Sequence, residues 1–257
     1  MARKLFYYGE VMNEIIKSLK NRKSVRQFLE KEIPSDIKAE ILNAALTAPT
    51  AGNMTLYTVL DITDKALKQK LSVTCDNQPF IEKAPLVLVF CADYYRWYKA
   101  YCDNSEYVRP LGAGDLFLAN QDALIAAQNT VVAAESLGVG SCYIGDIIEN
   151  YEIHKTLFNL PDYVVPTCML VFGYPTENQI KREKPPRFKI EDIVFENGYN
   201  MQKANELERM LIKRQNISPE EIGGYIKRFC ERKHNGEFSK EMTRSSKTMI
   251  EDFCNRK

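Results

Sequence analysis

The strongest constraint on how this chain can fold is one uninterrupted stretch, residues 115–137, that contains neither proline nor glycine. Leu116, Leu118, Leu124, Ile125, Val131, Val132 and Leu137 lie along it. At ~1.5 Å per residue a helix of that length runs ~35 Å. A helix that is apolar around most of its circumference has to be covered, so the spacing predicts a buried central helix around which other elements pack. Gly138 follows it as the residue expected to close the helix in a left-handed conformation.

Other segments are suited to supply that cover. Residues 13–19 carry Ile15, Ile16 and Leu19 at helical spacing, and the polar run 20–26 interrupts them. Pro34-Ser35-Asp36 opens a second helix, with Ser35 expected as its N-cap. Ile37, Ile41, Leu42, Ala45 and Leu46 give that helix one apolar face, and Pro49 ends it. Residues 56–62 read as a strand, after which Asp64 caps a helix reaching 71. The run 85–92 is almost continuously apolar, as in a central strand covered on both faces. Residues 141–144 and 164–173 read as further strands and 150–157 as a short helix. The stretch 175–187 is polar, basic and proline-rich and reads as a loop. Beyond 201 the pattern predicts two or three helices, the last over 239–254. No regular βαβ rhythm and no internal repeat emerges, which favours an α+β fold, a mixed sheet flanked by helices.

Composition narrows the function classes. A chain of 257 residues can form one large domain or two small ones with a sizeable core. A net charge of +1 gives no global field drawing it to nucleic acid or an anionic membrane, and no apolar run approaches the ~20 residues of a membrane span. The first ten residues are basic with no long apolar stretch behind them, so no signal peptide is expected and the cytoplasm is the expected compartment. The seven cysteines are odd in number and lack C-x-x-C spacing. They read as small buried hydrophobes in a reducing compartment, not as a disulfide framework or zinc site. Two histidines exclude a histidine-rich metal site.

Four constellations carry chemistry. Between the first two helices, Arg22-Lys23-Ser24-Val25-Arg26 places three cations and a hydroxyl within five positions. In an extended stretch, alternation puts Arg22, Ser24 and Arg26 on one face, a cradle for one phosphate. A second basic stretch contains Lys181, Arg182, Lys184 and Arg187, stiffened by Pro185 and Pro186. Ala48-Pro49-Thr50-Ala51-Gly52-Asn53 follows a helix; its small residues admit a flat ligand and Thr50 and Asn53 can bond polar ring edges. Finally, Gly138-Val139-Gly140-Ser141-Cys142-Tyr143-Ile144-Gly145 is not a dinucleotide fingerprint, because its glycines follow a helix and lack the G-x-G-x-x-G spacing. It exposes backbone N–H groups that suit charge on a reduced ring. Taken singly, each of these also reads as an ordinary solvated turn or helix-ending loop.

Their order resembles the nitroreductase family of flavoproteins, in particular its larger NADPH-dependent group of oxygen-insensitive nitroreductases and flavin reductases. R-x-S-x-R is followed by A-P-T-A-G-N, then by G-V-G-x-x-Y-I-G after a long helix, then by F-G-Y-P leading into K-P-P-R. The resemblance spans residues 10–199. It implies a nitroreductase-like α+β fold, with a mixed, mainly antiparallel sheet around the long helix. It also implies a homodimer and FMN bound at the subunit interface, with NADPH or NADH as electron donor. By resemblance Arg22, Ser24 and Arg26 contact the phosphate and ribityl chain, and Lys23 adds backbone or charge. Pro49, Thr50, Ala51 and Asn53 lie by the isoalloxazine, and Gln78 contacts it. Tyr143, Ile144 and Gly145 cover one ring face and offer N–H groups near N5. Lys184 or Arg187 completes the phosphate site. Three positions depart from the family pattern: Arg22 stands where histidine is frequent, Asp146 where a second small glycine is usual, and Pro185 where lysine is common.

The resemblance therefore implies an FMN-dependent enzyme passing electrons from NAD(P)H to a nitroaromatic, quinone or flavin by a ping-pong mechanism, the flavin and no side chain carrying the chemistry. The alternative is a protein of the same fold that holds FMN with little turnover. No metal, nucleic acid or membrane partner is expected. The expected division is an FMN-binding domain over 1–200 and a helical extension over 201–257, packed on that domain or on a partner subunit.

Overall fold

The computed structural model describes residues 13–254, and the expectations for residues 1–12 lie outside that range. In chain order the described elements are α1 (Glu14–Asn21), α2 (Ser35–Leu46), β1 (Tyr57–Asp61), α3 (Lys65–Thr74), β2 (Leu86–Asp93), α4 (Tyr95–Asn104), α5 (Ala113–Ser136), β3 (Gly140–Ile144), α6 (Tyr151–Leu157), β4 (Val164–Gly173), α7 (Glu177–Lys181), α8 (Ile190–Ile193), α9 (Met201–Ala204), α10 (Leu207–Gln215), α11 (Ile222–Lys233) and α12 (Glu237–Cys254). They fall into two compact units. One holds the residues up to Arg182 together with those from Met242 onward; the other is Glu183–Glu241.

In the first unit the four strands form one sheet in the order β1-β2-β4-β3, every neighbouring pair antiparallel. A parallel bridge from Ser24 to Ser141 extends it beyond the outer edge of β3, and an antiparallel bridge joins Phe28 to Pro175. The apolar runs of β2 and β4 become the two inner strands because both of their faces are covered. Successive side chains of a strand point to opposite faces. Leu86, Leu88, Phe90, Leu170 and Phe172 enter one core layer and Val87, Val89, Met169 and Val171 the other. On β3 the alternation sends Cys142 and Ile144 into the second layer and Tyr143 towards the first.

α5 lies on the first layer. It reaches the sheet through Ala123, Ala126, Ala127 and Ala134, with Ile41 and Ala45 of α2 beside them. Small residues let the helix backbone approach the strands closely. The larger apolar residues Phe117, Leu124 and Ile125 are consequently on the far side and exposed, Phe117 by 59%. The helix is central, but it is buried on one side and not all round as its sequence predicts. Gly138 closes it at φ +73°, and Met249 and Phe253 of α12 pack into a third cluster with Leu56, Tyr94 and Tyr151.

Several local expectations change. α1 extends two residues into the polar run and ends at Asn21, where the chain turns extended to pair Ser24 with Ser141. Ser35 is the first helical residue; the boundary residue is Pro34, and no side chain caps that end. α4 was not anticipated, its tyrosines, tryptophan and charges masking the helical period. The stretch expected to be loop after Pro175 contains α7, which Thr176 caps by accepting from the Gln179 N–H at 3.4 Å.

Candidate functional site

The basic segment after α1 runs along the free edge of β3. The Val25 N–H donates to the Ser141 carbonyl at 2.9 Å and the Val25 side chain is buried. Alternation then turns Arg22, Ser24 and Arg26 together to the other side. All three act on the Cys142 thiol: burial pushes that thiol up, and Arg26, Ser24 and Arg22 pull against the shift. Among the described residues, Arg22 Nε and Nη2 are buried with no hydrogen-bond partner, and Ser141 Oγ is likewise buried and unpartnered. A desolvated guanidinium fork lacking an acceptor is a standing cost that a phosphate or carboxylate would relieve.

Lys23 faces elsewhere. Its ammonium donates to the Ile180 carbonyl at 2.7 Å and to the Arg182 carbonyl, at the end of α7. Its charge is committed there, so only its backbone is available beside Arg22. α7 answers with two further contacts: Arg182 donates to the Ser24 carbonyl, and Gln179 Oε1 accepts from the Arg26 N–H at 3.1 Å. The two basic stretches of the first unit therefore meet, through Arg182. Lys184 and Arg187 belong to the second unit, where Arg187 shares a cleft of about 310 Å³ with Arg209, Lys213 and Arg214.

The loop after α2 is held by a residue the sequence reading passed over. Asp122, on α5 and 3% exposed, accepts from the Ala51 N–H at 3.0 Å through Oδ1 and from the Leu56 N–H at 3.2 Å through Oδ2. The Thr50 hydroxyl accepts from the Thr55 N–H at 2.7 Å, so it serves the loop itself before any ligand. Gly52 and Asn53 both take positive φ, +56° and +58°. Pro49 and Asn53 stay exposed, with the Asn53 amide unbonded among the described residues. From α4, Trp97 Nε1 donates to the Met54 carbonyl at 2.6 Å and Arg96 to the Tyr57 carbonyl at 2.7 Å, bracing the loop from outside.

At the other end of β3 the expected ring-covering residues separate. The Ile144 side chain is core, 1% exposed, which leaves its main chain as the part that can present an N–H group to a ligand. Tyr143 packs on the first core layer and its hydroxyl donates to Gln128 Oε1 at 3.2 Å. Gly145 is exposed with open space where a Cβ would stand. Gln78 donates through Nε2 to the Cys75 carbonyl at 2.8 Å and to Asp146 Oδ2 at 2.9 Å. The loop that carries it also carries Phe80, whose ring lies 6.0 Å from the Arg26 guanidinium. Arg26 thus neighbours Phe80, and Gln78 of the same loop is bonded to Asp146, which follows Gly145.

The model of the nitroreductase family matches residues 19–174, which include Arg22, Ser24, Arg26, Gln78 and Gly145. The chain belongs to the nitroreductase family. It is 32% identical to the FMN reductase (NADPH) of Bacillus subtilis over 192 residues, covering 74% of this chain and 76% of that one. It is also 32% identical to the oxygen-insensitive NADPH nitroreductase of Salmonella typhimurium over 189 residues, covering 73% and 75%. Among solved structures, B. megaterium NfrA1 superposes with a TM-score of 0.82 at 25% identity, covering 95% of this chain and all of that one (100%). No described helix is long and apolar enough to cross a membrane.

Within this family member Asp122, Gln179, Arg182 and Trp97 shape the site; of these the sequence marks only Arg182, as one cation of the second basic stretch. Asp122 had one signal, an acid inside an apolar helix. Arg182 had another, a cation in a stretch already marked as basic.

Proposed function

We propose that this chain is an FMN-dependent oxidoreductase that takes electrons from NADPH or NADH and delivers them to a nitroaromatic, quinone or free flavin. The observation that carries the reading is Arg22, whose guanidinium Nε and Nη2 are buried and unpartnered among the described residues, on the same face as Ser24 and Arg26. The relatives named as FMN reductase and NADPH nitroreductase support the cofactor and donor classes. FMN, when bound, supplies two-electron chemistry between the nicotinamide and the acceptor.

The residues of the chain bind and orient. Arg22, Ser24 and Arg26 hold the phosphate. Asn53 and the Gln78 amide meet the polar edge of the ring, and Pro49 and Ala51 allow its close approach. The main chains of Ile144 and Gly145 present N–H groups, and Gly145 leaves room beside them. Donor and acceptor use one accessible side in turn, which gives ping-pong kinetics. Assignment of Lys184 or Arg187 to the phosphate rests on the family resemblance alone. Two copies associate through the exposed Phe117, Leu124 and Ile125 of α5, an apolar face of the kind that marks an interface. The seven free cysteines suit the cytoplasm.

The test is the visible spectrum of the purified protein, followed by anaerobic NADPH and then NADH. A bound flavin that bleaches with either supports the reading. A protein that stays colourless and takes up no added FMN overturns it.

A further inference from the structure

Gln78 and Asp146 form a pair whose chemistry goes beyond holding a cofactor. The amide orientation of Gln78 is fixed, because its Nε2 faces two acceptors, the Cys75 carbonyl and Asp146 Oδ2. Both N–H bonds are committed, so Gln78 can offer a ligand only its Oε1, an acceptor. With glycine at 146 one N–H would be left to donate. Asp146 thus converts a group able to stabilise negative charge into one that cannot.

The carboxylate is also held in place. It lies in the turn Gly145–Ile148, directly after the backbone assigned to the ring. Ile147, its neighbour in that turn, is fully buried, and the Ile147 carbonyl accepts from His154 Nδ1 at 2.8 Å. Asn150 donates to the Thr74 carbonyl at 2.9 Å, tying the same segment to the end of α3. From the opposite side, the Gln78 N–H donates to the Ser72 carbonyl at 2.7 Å. Among the described residues Asp146 makes no ion pair; its bonded partner is the neutral amide of Gln78. The charge is felt nearby: the buried Cys75 thiol is pushed up chiefly by burial and next by Asp146. The cations of the site gather instead about Cys142, with Arg182 behind Ser24.

We propose that Asp146, acting with Gln78, sets the reduction potential of the bound flavin by weakening the hold of the site on its reduced, negatively charged form. A fixed, unpaired carboxylate beside a group that gains charge opposes that gain, and an acceptor in place of a donor removes a charge-assisted hydrogen bond. The reduced cofactor becomes a stronger reductant and passes electrons to acceptors that are hard to reduce. The inference rests on the FMN reading above.

By linkage, the potential is fixed by the ratio of affinities for oxidised and reduced FMN. The experiment is an anaerobic redox titration of the holoprotein with a reference dye, in wild type, Asp146→Asn, Asp146→Gly and Asp146→Glu. Asp146→Asn keeps an acceptor for Gln78 but removes the charge. It is expected to tighten reduced over oxidised FMN about tenfold, raising the potential by about 30 mV for a two-electron couple. Asp146→Gly is expected to rise at least as far, and Asp146→Glu to stay with wild type. FMN affinity by fluorescence titration is read alongside, and oxidised FMN should bind within about threefold in all four. Asn and Gly variants with the wild-type potential overturn this inference while leaving the FMN reading intact. A wild type that takes up no FMN overturns both.

Discussion

Val25 lies so close to Gly140 that a Cβ built on the glycine would stand 2.5 Å from Val25 Cγ2. Valine is branched at Cβ and cannot swing aside. The contact is therefore what lets the segment carrying Arg22, Ser24 and Arg26 seat against β3. Gly140→Ala is expected to cost about 1–3 kcal/mol, as overpacking of a filled core does, and to lower FMN affinity by displacing Ser24 from Ser141. Urea unfolding and FMN fluorescence titration check this; an alanine variant unchanged in both shows that the segment is not clamped there.

Asp122 should matter as much as any residue facing the ligand. Asp122→Ala leaves the Ala51 and Leu56 N–H groups without their acceptor, at about 1–3 kcal/mol for each buried amide. The loop 49–55 should loosen, so FMN affinity should fall together with stability. Asp122→Asn retains one acceptor oxygen and should lose less. Hydrogen exchange at Ala51 and Leu56 is the direct readout, and unaltered protection in the alanine variant would refute the assignment.

The three adjacent cations and hydroxyl should separate by function. Arg22→Ala and Arg26→Ala are expected to weaken FMN binding about tenfold to hundredfold, from about 1.5–3 kcal/mol per charge-assisted bond. Lys23→Ala should leave affinity within about threefold, because the ammonium is already committed to the Ile180 and Arg182 carbonyls. Full flavin retention by dialysed Arg26→Ala would remove that residue from the phosphate site.

Much of this was legible in the chain. The run 164–173 became β4 with the same limits, since a strand apolar at nearly every position has to be inner. The alternation of Arg22, Ser24 and Arg26 against Val25 followed from strand period alone. What the sequence hid was tertiary. Nothing local reveals that Asp122 on α5 reaches a loop after α2, or that Arg182 meets Ser24. That the Ile144 side chain belongs to the second core layer depends on the sheet face it lands on, which the sequence alone does not give. The departure at Asp146 was visible as a residue type, but its hydrogen bond to Gln78 was not.

His154 predicts a pH dependence. Fully buried between the Ile147 carbonyl and the Thr74 hydroxyl, at 2.8 Å from each, it has its pKa lowered by burial, against opposing backbone hydrogen bonds at Ile147 and Glu149. The folded state therefore resists a proton that the unfolded chain accepts near pH ~6.5. The contribution to stability is full above that pH and is lost as pH falls through it towards the folded pKa. Urea midpoints measured from pH 7.5 down to pH 5 (roughly the window around that pKa) should decline more steeply for wild type than for His154→Gln. Parallel profiles would show that His154 does not titrate with folding.

The exposed side of α5 predicts the assembly. Phe117, Leu124 and Ile125 fall on one helical stripe with Gln121 and Gln128. Buried apolar side chains contribute about 1.5–3 kcal/mol each when covered. A carboxylate placed at the centre of that stripe would be desolvated by a second copy without a partner, a loss of several kcal/mol. Leu124→Glu is therefore expected to leave the fold intact, because the position faces water in the isolated chain, while shifting a dimer to monomer. Sedimentation equilibrium reads the mass, and far-UV circular dichroism reads the fold. If the apolar stripe is the interface, FMN affinity should fall with the dimer as well. A Leu124→Glu protein that sediments as wild type does, dimer or not, shows that the stripe is not where copies meet.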